Sequence, residues 1–232
     1  MEEESKGSSL VVGLVAAVVG LLVGFGGAKV LDQSQPAEDT NTAVTTPAAA
    51  TPTSDTKAAD LRALLNNLES EHVQLAAQAT KAGFDGNKNF DAAGKALFAN
   101  GDNISGAVSS VYGDEAGKKF DQIWDSHLNF FVDYTVAAKK GDKAGMDKAV
   151  QNLNGYVEAI SDFLSSANPN LPKAAVTQLF SEHVGLLKAT VDAHAAGNYP
   201  ESFAKQHDTN VQVGKIADAL AGAVVKQMPE KF

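Results

Sequence analysis

"FSEHVGLLKATVDAHAAGNYP", residues 180–200, reads as the body of one helix, a turn and the start of the next. Around His183 stand Val176 at −7, Leu179 at −4, Leu186 at +3 and Leu187 at +4. These offsets share one helical face. Gly197-Asn198 then supplies the chemistry of a helix C-cap and turn. The same pattern stands twice upstream, in "ESEHV" at 69–73 and "WDSHL" at 124–128. With His72, His127 and His183 aligned, the spacings are 55 and 56 residues, and Gly86, Gly141 and Gly197 each follow by fourteen. Asn87, Asp142 and Asn198 come next, and a second helix leads to Val108, Ile160 and Ile216 as comparable apolar positions.

Repetition of this kind is the primary signal for architecture. Each unit reads as one helical hairpin, spanning about 60–113, 116–169 and 173–229. The first needs three extra residues around "FDGNKNF". "GDEAGKK" and "ANPNLPK" link the units, with Pro169 stopping one helix and Pro172 starting the next. The expected fold is all-α: three helical-hairpin repeats, six helices of about 15–28 residues, in an up-and-down bundle. A short open solenoid is the alternative.

All three histidines fall on the apolar stripe. The residues at −7, −4, +3 and +4 are Leu65, Leu68, Leu75 and Ala76 around His72, and Phe120, Ile123, Phe130 and Phe131 around His127. A buried imidazole is costly unless its nitrogens find partners. Either each ring hydrogen-bonds inside the bundle, or neutral imidazoles bind a metal or haem iron. Descent of the repeats by itself copies a structural histidine three times, so hydrogen bonding is the leading reading and ligation the alternative. Polar partners are expected on the second helices, where Asx residues recur eight and six positions before the apolar markers. These are Asn100, Asn152 and Asp208, then Asp102, Asn154 and Asn210. His207, Asp208 and Asp102 are the weaker metal candidates beside His72, His127 and His183. His194 lies three turns from His183, too far to share one ion on a straight helix. Trp124, Phe130, Phe131 and Tyr134 read as core packing, with stacking on a flat cofactor as the alternative. Glu71, Asp125 and Glu182 read as ordinary surface charge.

The N-terminal quarter is different. Residues 1–9 are polar and acidic, and residues 10–28 carry no charge. With Val30 and Leu31 the apolar stretch reaches the length of a membrane span, so residues 10–31 are expected to anchor the chain in a lipid bilayer. A cleaved signal peptide is the alternative, disfavoured by Glu2, Glu3 and Glu4 and by the length of the apolar run. Ala16, Gly20, Gly24 and Ala28 place small side chains on one face, a pattern suited to self-association. Residues 32–58, rich in Ala, Thr and Pro, read as a disordered spacer to a folded region at 59–232. The large C-terminal domain is expected outside the cytoplasm.

Composition removes several function classes. Cysteine is absent, which excludes disulfides, thiolate sites and iron–sulfur clusters. Net charge is −9 and Arg62 is the single arginine, so a nucleic-acid partner is not expected. No HExxH, GxSxG or phosphate loop is present, and the adjacent Glu-His pairs face different directions, which argues against a di-iron carboxylate site and a hydrolase. "LLNNLESEHVQLAAQATKAGFDG", "IWDSHLNFFVDYTVAAKKGDK", "NLNGYV", "HAAGNY" and "VVKQMPEKF" together resemble an uncharacterised helical domain of secreted and envelope proteins from Bacillus and Paenibacillus relatives. Those proteins often carry the label copper amine oxidase. The resemblance covers about Leu61 to Phe232 and implies an extracytoplasmic helical domain with a hint of copper. It does not extend to amine oxidation, because no catalytic domain of that kind is legible here. The expected function is a membrane-anchored, non-catalytic binding or assembly module. Binding of copper, another transition metal or haem through the repeat histidines is the alternative.

Overall fold

The computed structural model describes residues 54–232. The expected membrane anchor at 10–31, the small-residue face at Ala16, Gly20, Gly24 and Ala28, and most of the 32–58 spacer lie outside those residues. Among the described residues no helix is long and apolar enough to cross a membrane.

Six α-helices make up the described chain: α1 Lys57–Asp85, α2 Phe90–Tyr112, α3 Asp114–Lys140, α4 Lys143–Ala167, α5 Lys173–Ala195 and α6 Tyr199–Gln227. Local chemistry sets their ends. The Thr56 hydroxyl accepts from the Ala59 amide at 3.1 Å, and Asp142 does the same for Gly145 at 3.0 Å, satisfying donors that the first turn leaves free. Gly86 and Gly141 close α1 and α3 in the left-handed conformation, at φ 71° and 66°. This is the cap expected from the Gly-Asn and Gly-Asp pairs. Gly113, at φ 90°, makes the whole connection between α2 and α3. The second repeat therefore begins at Asp114, inside the stretch that the sequence assigned to a linker. Asp114 and Glu115 then occupy the first turn, where carboxylates favour a helix N-terminus.

Each helix packs on its neighbours in the chain, and α6 closes back on α1. This is the up-and-down bundle rather than the solenoid. The first helices of the hairpins also meet one another: α1 touches α3 and α5, and α3 touches α5. They form an inner triangle, with α2, α4 and α6 outside it. At one end the inner helices are tied together by His194 Nε2 with Asp85 Oδ1 at 2.9 Å and by Lys139 Nζ donating to Gly83 O at 3.3 Å. At the other end the outer helices are joined: Asn168 Nδ2 donates to Tyr112 Oη, and Tyr112 Oη donates to Gln227 Oε1, each at 3.0 Å.

The main apolar core runs from Val73 and Ile104 through Phe120, Trp124 and Leu153 to Phe180 and Leu187, with smaller clusters around Leu61 and Leu65 and around Tyr134. The α2–α3 contact is the closest approach that depends on a missing side chain. A Cβ on Gly117 would lie 3.1 Å from Ser105 O and 3.0 Å from Ser109 Cβ. Overpacking of this kind typically costs 1–3 kcal/mol. Gly117→Val is therefore expected to destabilise the protein by about 2 kcal/mol in urea unfolding, and the same change at Gly106, where a Cβ meets nothing within 4 Å, by much less.

Candidate metal centre

The inner triangle brings the three repeat histidines together. His72 from α1, His127 from α3 and His183 from α5 sit mid-helix at 0%, 1% and 3% exposure. Each offers one ring nitrogen, and these three atoms lie within 4.8 Å of one another. The His72 ring centroid is 5.5 Å from that of His127 and 6.0 Å from that of His183. Three donors on a metal at bonds of 2.0–2.1 Å stand ~3.4 Å apart in tetrahedral geometry, so small side-chain adjustments separate this cluster from a ligand set.

Aromatic walls hold the rings. Tyr156 stacks on His127 at 4.4 Å, and the Trp124 indole meets His127 edge-on at 4.7 Å and His72 at 5.0 Å. His127 Nδ1 bonds to the Trp124 carbonyl one turn back on its own helix. A carbonyl only accepts, so Nδ1 carries the hydrogen and Nε2 is left with its lone pair. That nitrogen has no hydrogen-bond partner, and neither has His72 Nδ1, His72 Nε2 or His183 Nδ1. Each unpaired buried group costs roughly 1–3 kcal/mol. The hydrogen-bonded reading of the histidines is thus only partly met. Asn100 is near enough to favour a proton on His72 slightly, but its amide hydrogens go to Leu68 O and Glu71 Oε2, both at 3.0 Å.

Burial, reinforced by the neighbouring rings, lowers the proton affinity of the cluster. His72 falls to about 3, chiefly by desolvation and then by repulsion from His183. His183 falls to about 4 by desolvation. Desolvation and then both neighbouring histidines push His127 well below the ordinary 6.5. All three are neutral at pH 7, the form that ligates metal.

The other sequence candidates are elsewhere. His207, Asp208 and Asp102 are exposed on the outer helices and belong to no such cluster. His194 pairs with Asp85 at the bundle's end. Of the six Asx residues expected as partners, only Asn100 is buried, while Asn152 and Asn210 are half-buried and Asn154, like Asp102 and Asp208, is exposed. The repeats instead use Gln212, which donates to Leu179 O at 2.7 Å as Asn100 does to Leu68 O. Both carbonyls belong to the residue four before a histidine. Sequence reasoning also passed over Tyr156 and Glu69. Glu69 is 3% exposed, and desolvation pushes its carboxyl up to about 8. Its signal was present: it lies three residues before His72, where the other repeats have Trp124 and Phe180.

No family model, no curated protein and no solved structure matches the chain.

The cluster gives stability a distinctive pH dependence. The unfolded chain's histidines take up protons below about pH 6.5, while folded His72 and His183 resist until about 3–4 and burial holds His127 well below its ordinary value. Their contribution is complete above pH 6.5 and is lost as pH falls. Glu69 acts in the opposite sense, its burial costing more as pH rises from 4.5 to about 8. Between pH 5 and 6.5 the three histidines outweigh the one carboxyl. Toward pH 5 unfolding should take up about two protons net, so that stability falls there by ~2.7 kcal/mol per pH unit, and by less near pH 6.5, where the unfolded histidines are only half protonated. Urea unfolding at closely spaced pH values measures this slope, and a flat profile would mean that the rings are not buried in neutral form.

Proposed function

We propose that this chain is a metal-binding helical bundle that holds one divalent transition ion on His72, His127 and His183. The observation that carries the reading is the convergence of three buried imidazoles, one from each repeat, with one ring nitrogen of each within 4.8 Å of the others and every ring holding at least one unpaired nitrogen. Three structural histidines copied by repeat descent have no reason to face one another with their nitrogens unpaired. An all-imidazole site suits zinc, copper, nickel or iron rather than magnesium or calcium. A bare ion fits better than haem. The cavity beside the His72 and His127 rings is about 20 Å³, far below the space a macrocycle occupies.

The enclosure of the site suits holding an ion more than turning over a large substrate, so the reading is non-catalytic. The uncharged run at 10–28 supports attachment to a membrane, with the bundle on its extracytoplasmic side. An assembly role rests on the small-residue face at Ala16, Gly20, Gly24 and Ala28 alone.

Equilibrium dialysis of the full chain against zinc, copper or cobalt should give one ion per chain at pH 7. Alanine at His72, His127 or His183 is expected to weaken binding by at least about 100-fold, on the scale of a lost ligand. Alanine at His194 or His207 should leave it unchanged. At an ion concentration 100 times the dissociation constant, the native chain should gain about 2.7 kcal/mol of stability. Retention of no ion at all, or equal retention in the three variants, would exclude the site.

A further inference from the structure

The end of the bundle where the outer helices are joined holds a feature that the histidine centre does not use. A cavity of about 50 Å³ lies among Leu61, Leu65, Ile104, Ala107, Phe120 and Phe180. Its wall is aliphatic and aromatic; the polar groups on its lining side chains are the Tyr112 hydroxyl at the rim, the Trp124 indole nitrogen and one carboxyl, Glu69. Glu69 is buried, and desolvation is the one influence on its proton affinity, with no hydrogen bond or opposite charge to offset it. It also stands outside the group of ligating atoms formed by the three histidines.

The repeats show that the carboxyl is an exception. Glu69, Trp124 and Phe180 occupy the same place, three residues before each histidine, and all three line this cavity. Two of them fill it with aromatic surface. The third places an unpartnered acid there at a cost in desolvation that brings the fold nothing. The rim is formed by half-buried Val108, Val111, Tyr112 and Leu220, so the cavity opens at the end of the bundle.

Size and chemistry define an occupant. At roughly 10–15 Å³ for each water-sized group, the cavity takes about three to five heavy atoms. With its carboxyl raised to about 8, Glu69 is largely the neutral acid at pH 7, which donates one hydrogen bond and accepts another. A neutral head that does both is satisfied there without burying net charge. A carboxylate head is not, and an ammonium head must first ionise Glu69 and then lose its own hydration. We propose that this cavity binds a short, uncharged alkyl molecule through a hydroxyl or amide head on Glu69, with the alkyl part against Leu61, Leu65 and Ile104. The site is separate from metal binding at the histidines and does not require it.

1-Butanol is a probe of the right size. Titrated into the full chain at pH 7 and followed by methyl NMR, it should give saturable shifts centred on Leu61, Leu65 and Ile104. Glu69→Gln keeps a donor and an acceptor and should hold affinity within about threefold, whereas Glu69→Leu should weaken binding about tenfold. Ala107→Phe should fill the cavity and abolish binding; if that variant fails to fold, the Gln and Leu pair still decides. Butylammonium and butyrate should each bind at least about tenfold more weakly than butanol. Unsaturable shifts spread over the surface would overturn the proposal, as would equal affinity in Glu69→Leu or tighter binding of butylammonium. Zinc affinity measured alongside separates the two sites. It should be unchanged in Glu69→Leu; lost zinc with butanol binding intact would instead assign Glu69 to the metal.

Discussion

The structure depends on burying three imidazoles where α1, α3 and α5 meet. A ring in that position is tolerated only as the neutral species, and desolvation enforces this, holding His72 near 3 and His183 near 4. Neutral rings that keep an unpaired nitrogen are poor core residues but good ligands. The surrounding packing shows the same bias. Tyr156 and Trp124 fix the plane and edge of His127, and the Trp124 carbonyl fixes its tautomer. The protein thus spends core positions on polar rings and also constrains how those rings point.

The repeat explains how one chain achieves this. One histidine per hairpin, at a constant height above a constant turn, is enough once three parallel helices share an interior. The outer helices brace the inner ones from behind. Asn100 and Gln212 hold backbone carbonyls four residues before His72 and His183. In the second repeat no amide does this, and Tyr156 packs directly on the ring instead. The symmetry is broken again at Glu69, which puts an acid where the other repeats have an aromatic ring.

Much of this was legible in the sequence because the period of the apolar stripe is a local property. The register of His72, His127 and His183, the glycine caps and the hairpin count all follow from it. The meeting of the three first helices does not, since it depends on which faces the bundle turns inward. The expected Asx partners show the limit clearly. Six residues of helix turn the chain through about 600°, placing Asp102, Asn154 and Asn210 some 120° from the apolar markers. They share a height along the helices but not the buried face, and most point outward. Glu69 was overlooked for a different reason. Its offset of −3 lies on the stripe, but an acid beside Ser70 and Glu71 reads as one more surface charge until the cavity it lines is seen.

The central claim is that the three histidines form one site. Long-range ¹H–¹⁵N NMR of the full chain, recorded as one equivalent of zinc is added at pH 7, tests it most directly. The ring nitrogens of His72, His127 and His183 should begin as neutral imidazoles and move to metal-bound shifts together, complete at one equivalent, while His194 and His207 stay where they were. A response confined to His194 or His207, or three rings that do not move, would contradict it.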